Sequence, residues 1–293
     1  LYKVNPSQIT GIFDDEKILG SYVSRILPIA FAFIIFYKKS NSKTNIFLIF
    51  LAMISFVVII LSGERVALIN FFTFIFLVML FNIFNLRKLF LINLSVLLSV
   101  FVLIIIFNNE VKKRFIDTTL KYSGIEYGRI YIFSDHHELH FYTAYKMFKD
   151  NIFFGVGPKM FRKLCKEPEY YIKANDLFKQ LHSMKERSDE YFRYDTLHGC
   201  STHPHHFYVQ ILAETGIFGL FLFLIFIFSL LYLLFNLNKK DQNYDFIMIL
   251  IFAILMNFSP FTPSGNFFNN YLSIFYFLPI AFFYATLKSS NNS

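Results

Sequence analysis

Long apolar stretches constrain the fold of this chain more than any other feature of its sequence. Apolar residues make up 55% of the chain, and runs of about 18 or more of them are typical of helices that cross a membrane. A buried helix of a soluble protein is the alternative for any single run. Together the runs predict an all-α, polytopic transmembrane protein with about seven spans. The predicted spans are approximately Leu19–Tyr37, Asn45–Leu61, Val66–Phe84, Leu89–Phe107, Phe207–Phe235, Tyr244–Phe258 and Phe267–Leu287.

These spans divide the chain into three predicted domains. Residues 1–107 form an N-terminal membrane part with about four helices, residues 108–205 a loop domain, and residues 206–293 a C-terminal membrane part with about three helices. Lys and Arg collect in short loops on the cytoplasmic side of a membrane, and alternate short loops of this chain are basic. The loop domain is therefore expected outside the cytoplasm. The net charge of +8 reflects this topology and a mildly basic loop domain, and gives no argument for nucleic-acid binding.

The loop domain combines helical patterns with both cysteines of the chain. Tyr131–Lys149 has apolar residues at helical spacing, and Gly155-Val156-Gly157-Pro158 then interrupts the pattern. This interruption favours a turn, with a phosphate-binding loop as the alternative. Cys165 and Cys200 can bridge in an oxidising compartment, so we expect a disulfide, with two free thiols as the alternative. The sequence thus predicts one large helical extracytoplasmic loop.

All eight histidines lie between positions 136 and 206. The segment His136-His137-Glu138-Leu139-His140 resembles the zinc-peptidase motif HExxH, but its glutamate stands one place late, so we expect a solvated helix face. The second group is His198, His203, His205 and His206. Imidazole suits a metal, yet no further ligand at suitable spacing completes the set except Cys200. Because the unperturbed pKa of imidazole lies near neutrality, we favour acid–base chemistry at a membrane surface for this group.

The segment Ser62-Gly63-Glu64-Arg65 places two charges between two apolar spans. Two interpretations of Arg65 stay open. The side chain either reaches towards lipid headgroups, or its planar guanidinium binds a phosphate. Arg129 is interpreted as a surface residue on local sequence alone.

Four separated segments carry signatures that occur together in one family. They are Gly11-Ile12-Phe13 with Ile18-Leu19-Gly20-Ser21-Tyr22, then Ser62-Gly63-Glu64-Arg65, then Phe154-Gly155-Val156-Gly157-Pro158-Lys159-Met160-Phe161, and finally His203-Pro204-His205-His206-Phe207 leading to Glu214-Thr215-Gly216-Ile217-Phe218-Gly219. Across nearly its whole length the chain resembles the O-antigen ligase and polymerase superfamily of bacterial inner-membrane proteins. The ligase signature is a His followed by an Asn, Ser or Gln, then nine further residues, and then Gly-x-x-Gly. His205, Gly216 and Gly219 fit, whereas His206 departs from the pattern. Family members usually have more spans before the first segment, so the chain looks like a C-terminal portion.

The resemblance implies transfer of a glycan from undecaprenyl diphosphate to an acceptor hydroxyl on the periplasmic side of the inner membrane. His205 would be the catalytic general base, and Arg65 and Arg129 would bind the diphosphate. Glu64, His206 and Glu214 would support substrate binding, although Glu214 also fits an interfacial helix-end carboxylate. The acceptor would be lipid A core or a growing glycan, membrane lipids would surround the protein, and neither a metal nor another cofactor is expected.

Three functional alternatives accompany this prediction. The nine-residue spacing after His205 favours a ligase over a polymerase, and a protein O-glycosyltransferase belongs to the same superfamily. A transporter or flippase of lipid-linked sugars is the more distant alternative. Such proteins commonly contain internal repeats and polar, broken spans. This chain shows no repeat, and its ionisable residues lie at span ends.

Overall fold

The computed structural model describes residues 2–5, 8–13, 16–38, 41–81, 83, 87–122, 133–174, 197–239 and 243–291. The described chain is mostly helical, as the sequence predicts. It contains two compact units, each considered by itself. The first comprises Leu1–Leu120, Leu230–Asn257 and Phe275–Ser293, and the second comprises Lys121–Ser229 and Phe258–Ile274. The division into domains 1–107, 108–205 and 206–293 stays a prediction.

A helix lies at the position of every predicted span. A short hairpin of β1 (Tyr2–Asn5) and β2 (Gln8–Gly11) precedes them. The helices at the positions of the predicted spans are α1 (Leu19–Lys38), α2 (Ser42–Ser62), α3 (Arg65–Leu80), α4 (Arg87–Phe107), α9 (Phe207–Asn236), α10 (Tyr244–Asn257) and α11 (Asn270–Asn291). Between α4 and α9 lie α5 (Asn109–Lys112), a π-helical segment (Lys113–Asp117), α6 (Thr118–Tyr122), α7 (Asp135–Asp150) and α8 (Phe161–Leu164).

Length and apolarity support fewer spans than the sequence predicts. Among the described residues, α1, α2 and α9 are long and apolar enough to cross a membrane. A fourth span results if Leu91–Phe107 and Asn109–Leu120, which are bent by 105° relative to each other, count as one. Helices α3 and α10 and the apolar part of α11 are shorter. Three or four candidate spans are therefore established by composition, and seven remain a prediction.

The first unit is built around phenylalanine. Helix α1 packs against α2, α3 and α10, and Phe31 of α1 meets Phe74 of α3 edge to face, with ring centroids 5.2 Å apart. Phe56 and Phe71 form a similar pair between α2 and α3 at 5.5 Å. Such offset and perpendicular ring contacts are the favourable ones. The 42 phenylalanines of the chain thus supply much of this core.

The second unit joins α7, α8 and the start of α9 through a disulfide. Cys165 and Cys200 are bonded, with their Cα atoms 5.0 Å apart, and Cys165 is buried in a cluster with Met147, Phe161 and Ala213. The charged, Tyr-rich stretch Pro168–Tyr194 has a mostly helical sequence pattern, but residues 168–172 form turns and irregular structure. Residues 175–194 of this stretch lie outside the described residues.

Candidate active site

The loop between the disulfide and α9 holds His205 in an unusual backbone conformation. His205 has φ +59°, a left-handed region that residues with a side chain rarely adopt. Its carbonyl accepts a hydrogen bond from the Ser264 amide at 2.9 Å, and Nε2 of neighbouring His203 donates to the Ser264 carbonyl at 3.2 Å. Such conformations persist where surrounding contacts fix them, and they are frequent at active sites. The loop geometry therefore marks His205 as a candidate functional residue.

Four imidazole rings gather around that of His205. Its ring centroid lies 4.1 Å from that of His203, 5.4 Å from that of His140 and 5.6 Å from that of His137. The ring of His136 follows at 4.6 Å from His140. We call these five residues the histidine cluster. The prediction of a solvated helix face fits His136, which is exposed, but is wrong for His140, which is only 1% exposed, because this part of α7 packs against the loop containing Gly199.

Burial keeps His140, His203 and His205 of the cluster neutral near neutral pH. Burial lowers the pKa of His205 far below its ordinary value, and the neighbouring imidazoles lower it further. Burial also lowers the pKa of His140 and of His203, each to about 4. A neutral imidazole has one nitrogen that can accept a proton. His205 is thus in the protonation state that a general base requires.

The cluster does not have the arrangement of a metal site. Among the described residues, no group of three or more His, Cys, Asp or Glu side chains is placed to hold a metal ion. Cys200, the further ligand considered from the sequence, is bonded to Cys165.

His206 lies beside His205 but faces a different environment. Its side chain is buried, and Nε2 donates to the Pro260 carbonyl at 3.0 Å, which places the proton on that nitrogen because a carbonyl only accepts. The ring packs between Phe133 and Phe141, each 5.4 Å away between centroids. These contacts anchor the start of α9. Of the two adjacent histidines, only His205 belongs to the histidine cluster.

Glu214 ties α9 to the loop that contains Gly155 and Gly157. Its carboxylate is 1% exposed and accepts hydrogen bonds from the Lys159 amide at 3.1 Å, the Phe161 amide at 3.0 Å and Gln210 Nε2 at 3.1 Å. Glu214 is therefore a buried structural acceptor, not the interfacial helix-end carboxylate considered as an alternative from the sequence.

The same loop enters a break in α9. At Gly216 the backbone has φ 66° and ψ −166°, and the amide of the next residue, Ile217, donates to the Ile152 carbonyl at 2.9 Å. A Cβ atom at Gly216 would lie 2.3 Å from the Phe153 carbonyl oxygen. The loop amide of Gly157 donates to the Glu214 carbonyl at 2.9 Å. The Gly155/Gly157 segment is thus a turn, as the sequence favours, and it docks on the Gly-x-x-Gly region.

Glu64 and Arg65 lie in the first unit, where the turn between α2 and α3 meets the start of α1. The Glu64 carboxylate accepts from the Gly20 amide at 2.5 Å and from the Ser21 hydroxyl at 2.6 Å, so it caps the amino end of α1. Burial raises the pKa of Glu64, while the bonds from Ser21 and Gly20 lower it. Arg65 Nη1 donates to the Thr119 hydroxyl at 3.3 Å. Arg129 lies outside the described residues.

The structure therefore brings together some predicted residues and adds others. In the second unit His205, His206 and Glu214 share one loop and helix, and Glu64 and Arg65 adjoin each other in the first unit. Sequence reasoning missed His140, Gln210 and Ser264 as contributors. The four-residue intervals between His136 and His140 and between Gln210 and Glu214 were the only local signals, since the other contacts of Gln210 and those of Ser264 span more than 50 positions.

Comparison with known families gives one match. A family model described as O-antigen ligase matches residues 48–224. The matched range begins within α2 and ends within α9, so it includes the Glu64–Arg65 turn, the Gly155/Gly157 loop and the histidine cluster. No curated protein and no solved structure matches the chain.

Proposed function

Because this chain belongs to the O-antigen ligase family, we propose that it moves a glycan from undecaprenyl diphosphate to an acceptor hydroxyl on the periplasmic side of the bacterial inner membrane. Proteins of this family are glycosyltransferase-like membrane enzymes, and their substrates are in general a lipid-linked glycan and an acceptor. The long apolar helices suit a donor with a lipid tail. The single observation that carries the proposal is the neutral, conformationally fixed His205 inside the matched range.

His205 is the proposed general base. In the reaction the acceptor oxygen forms a bond to the anomeric carbon, the bond from that carbon to the diphosphate breaks, and the hydroxyl proton goes to His205. Assistance of this kind typically contributes about 10²–10⁴ in rate. The His205 ring is neutral because burial lowers its pKa, so one ring nitrogen is free to accept the proton. The Ser264 amide holds the backbone of His205 in place.

Arg65 and Arg129 are the proposed cations for the diphosphate. Negative charge develops on the leaving diphosphate, and fixed donors aimed at that charge lower the barrier. Arg65 sits on a turn that is held from two sides, since Glu64 binds the start of α1 and Arg114 Nε donates to the Gly63 carbonyl at 3.0 Å. Glu64 is therefore proposed to position the turn, and Glu214 and His206 to position the loop of His205. No metal or other cofactor is required in this scheme.

The acceptor distinguishes the two closest versions of the proposal. A ligase attaches a finished glycan to lipid A core, and a polymerase extends a growing glycan. The nine-residue interval between His206 and Gly216 favours the ligase, and the polymerase is the second candidate. A transporter of lipid-linked sugars is the third candidate. Such a protein would bind the same lipid tail and diphosphate but would not transfer the glycan to an acceptor.

Complementation tests the proposal. The gene is expressed in a ligase-null strain as wild type, His205→Ala and the control His198→Ala, and lipopolysaccharide is resolved on a gel. The ring of His198 lies against Tyr171 at 5.5 Å between centroids, and His198 is not among the imidazoles that lower the pKa of His205. We expect a ladder with wild type and His198→Ala and none with His205→Ala. A ladder with His205→Ala contradicts the base assignment. Restoration only in a polymerase-null strain identifies a polymerase, and lipid-linked glycan binding without transfer identifies a transporter.

A further inference from the structure

His140 is the buried member of the histidine cluster to which the proposed reaction assigns no role. It lies on α7, and its side chain is 1% exposed. Nδ1 lies 2.9 Å from the Gly199 carbonyl oxygen. A carbonyl oxygen only accepts hydrogen bonds, so Nδ1 must carry the proton. In a neutral ring, Nε2 is then a bare acceptor.

Nε2 of His140 has no hydrogen-bond partner within the described parts of the chain. Buried polar atoms almost always have a partner, and each exception calls for an explanation. Leaving a buried acceptor without a donor costs stability. A fixed tautomer with an unused lone pair is an arrangement suited to accepting a hydrogen bond that forms only during the reaction.

Two rings of the histidine cluster are close enough to supply such a hydrogen bond. The ring of His136 is nearer, at 4.6 Å between centroids, but His136 is exposed. The ring of His205 lies at 5.4 Å, with 35° between the ring planes, and it is the one that gains a proton in the proposed reaction. This separation leaves room for a small rotation of His205 or for one bridging water. The titratable groups facing His140 are other imidazoles, namely His136 and His137 on α7 and His203 and His205 on the loop. The charged or titratable groups that shift the pKa of His140 are thus imidazoles.

Resting on the proposed function, we propose that His140 Nε2 accepts a hydrogen bond from protonated His205 and thereby helps His205 to take the proton of the acceptor hydroxyl. The O–H bond of the acceptor breaks, its proton becomes the second N–H of His205, and the charge is shared with His140. The diphosphate leaves with the electron pair of the glycosidic bond, and the proton later passes to solvent. His140 acts through His205 and is a positioning residue.

Two substitutions separate the two nitrogens of His140. His140→Asn keeps an N–H group for the Gly199 carbonyl and removes the Nε2 acceptor. His140→Gln places an amide oxygen near the Nε2 position and gives up the bond to Gly199. Both are assayed in the full-length protein with lipid-linked donor and acceptor, beside wild type and His205→Ala.

We expect His140→Asn to lower kcat by about 100-fold, at the lower end of the range for acid–base catalysis, with KM for the donor unchanged. Its thermal stability should equal that of wild type. The acid limb of the pH profile should move to lower pH, because protonated His205 has lost an acceptor and binds its proton less tightly. His140→Gln should recover part of kcat.

Each other outcome contradicts a defined part of the proposal. Wild-type kcat in His140→Asn overturns the role of His140 alone. A lower kcat with an unmoved acid limb, or one that follows a loss of thermal stability, shows that His140 is merely structural. Full activity of His205→Ala removes the base on which the role depends. Absence of transfer by wild type overturns the proposed function itself.

Discussion

Replacing Glu214 with Ala tests how the Gly155/Gly157 loop is held to α9. The carboxylate accepts two backbone amides of that loop, from Lys159 and Phe161, and the side chain of Gln210. In Glu214→Ala the two amides lose this acceptor, whereas Gln210 Nε2 keeps its bond to Asn266 Oδ1 at 2.8 Å. The two amides lie in a short loop that has few other ways to satisfy them, so we expect the loop to open more often.

The expected magnitude follows from these contacts. A hydrogen bond to a charged group contributes about 1.5–3 kcal/mol, and two such bonds hold loop amides. The free energy of local opening should therefore fall by about 3 kcal/mol or more, which accelerates exchange of these amides by about 100-fold, since every 1.4 kcal/mol is tenfold. Removing a desolvated carboxylate offsets part of the loss in global stability. Local hydrogen exchange is therefore the better measurement.

Hydrogen–deuterium exchange, read by mass spectrometry on peptides covering residues 155–165, gives the result directly. Glu214→Gln retains one acceptor oxygen, so it should show a smaller acceleration, about tenfold for the amide left without a partner. The exposed Glu167 offers a control, and Glu167→Ala should leave exchange around Lys159 at the wild-type rate. Unchanged exchange of residues 155–161 in Glu214→Ala would refute the reasoning that this carboxylate fixes the loop.

Two further predictions concern α9 and the histidine cluster. Gly216→Ala should unfold at a lower temperature in detergent than Gly157→Ala. Both glycines have positive φ, but a Cβ atom at Gly216 would lie 2.3 Å from a backbone oxygen, whereas one at Gly157 would lie 3.4 Å from the flexible Met160 side chain. Equal unfolding midpoints would contradict this prediction. The free energy of unfolding should also fall as the pH is lowered from about 6.5 to about 4. The upper value is the ordinary pKa of histidine, and the lower one is the pKa of buried His140 and His203. Between them the unfolded chain binds protons on these histidines and the folded chain does not, so protonation favours unfolding. The free energy of unfolding of His203→Gln should fall less over the same pH range. A wild-type stability that does not change with pH would contradict the argument from burial.

The helices of this chain were predictable because their signal is local. Each apolar run in the sequence corresponds to a helix within a few residues, as for the predicted span Asn45–Leu61 and the helix Ser42–Ser62. Asn41 adds a local reason for that start, since its side chain accepts from the Thr44 amide at 2.9 Å. Spans were less predictable than helices, because run length alone does not show the 105° bend after Phe107.

The sequence predicted the site only where the functional residues are neighbours along the chain and their residue types mark them. The loop around His205 is marked by its composition, and the structure adds its left-handed backbone. The two backbone amides that bind Glu214 stand more than 50 positions away along the chain, and the partners of Glu64 stand more than 40 positions away. No periodicity encodes such contacts. His140 illustrates the same limit, because its helical interval from His136 fits an exposed face and a buried one equally.

The most direct test of the central claim is a single-turnover transfer assay with full-length purified protein. Undecaprenyl-diphosphate glycan and lipid A core are mixed with wild type, His205→Ala and His198→Ala, and the joined product is quantified. The account predicts product with wild type and His198→Ala, and a rate lower by about 10²–10⁴ with His205→Ala at unchanged donor binding. Transfer by His205→Ala at the wild-type rate would contradict it.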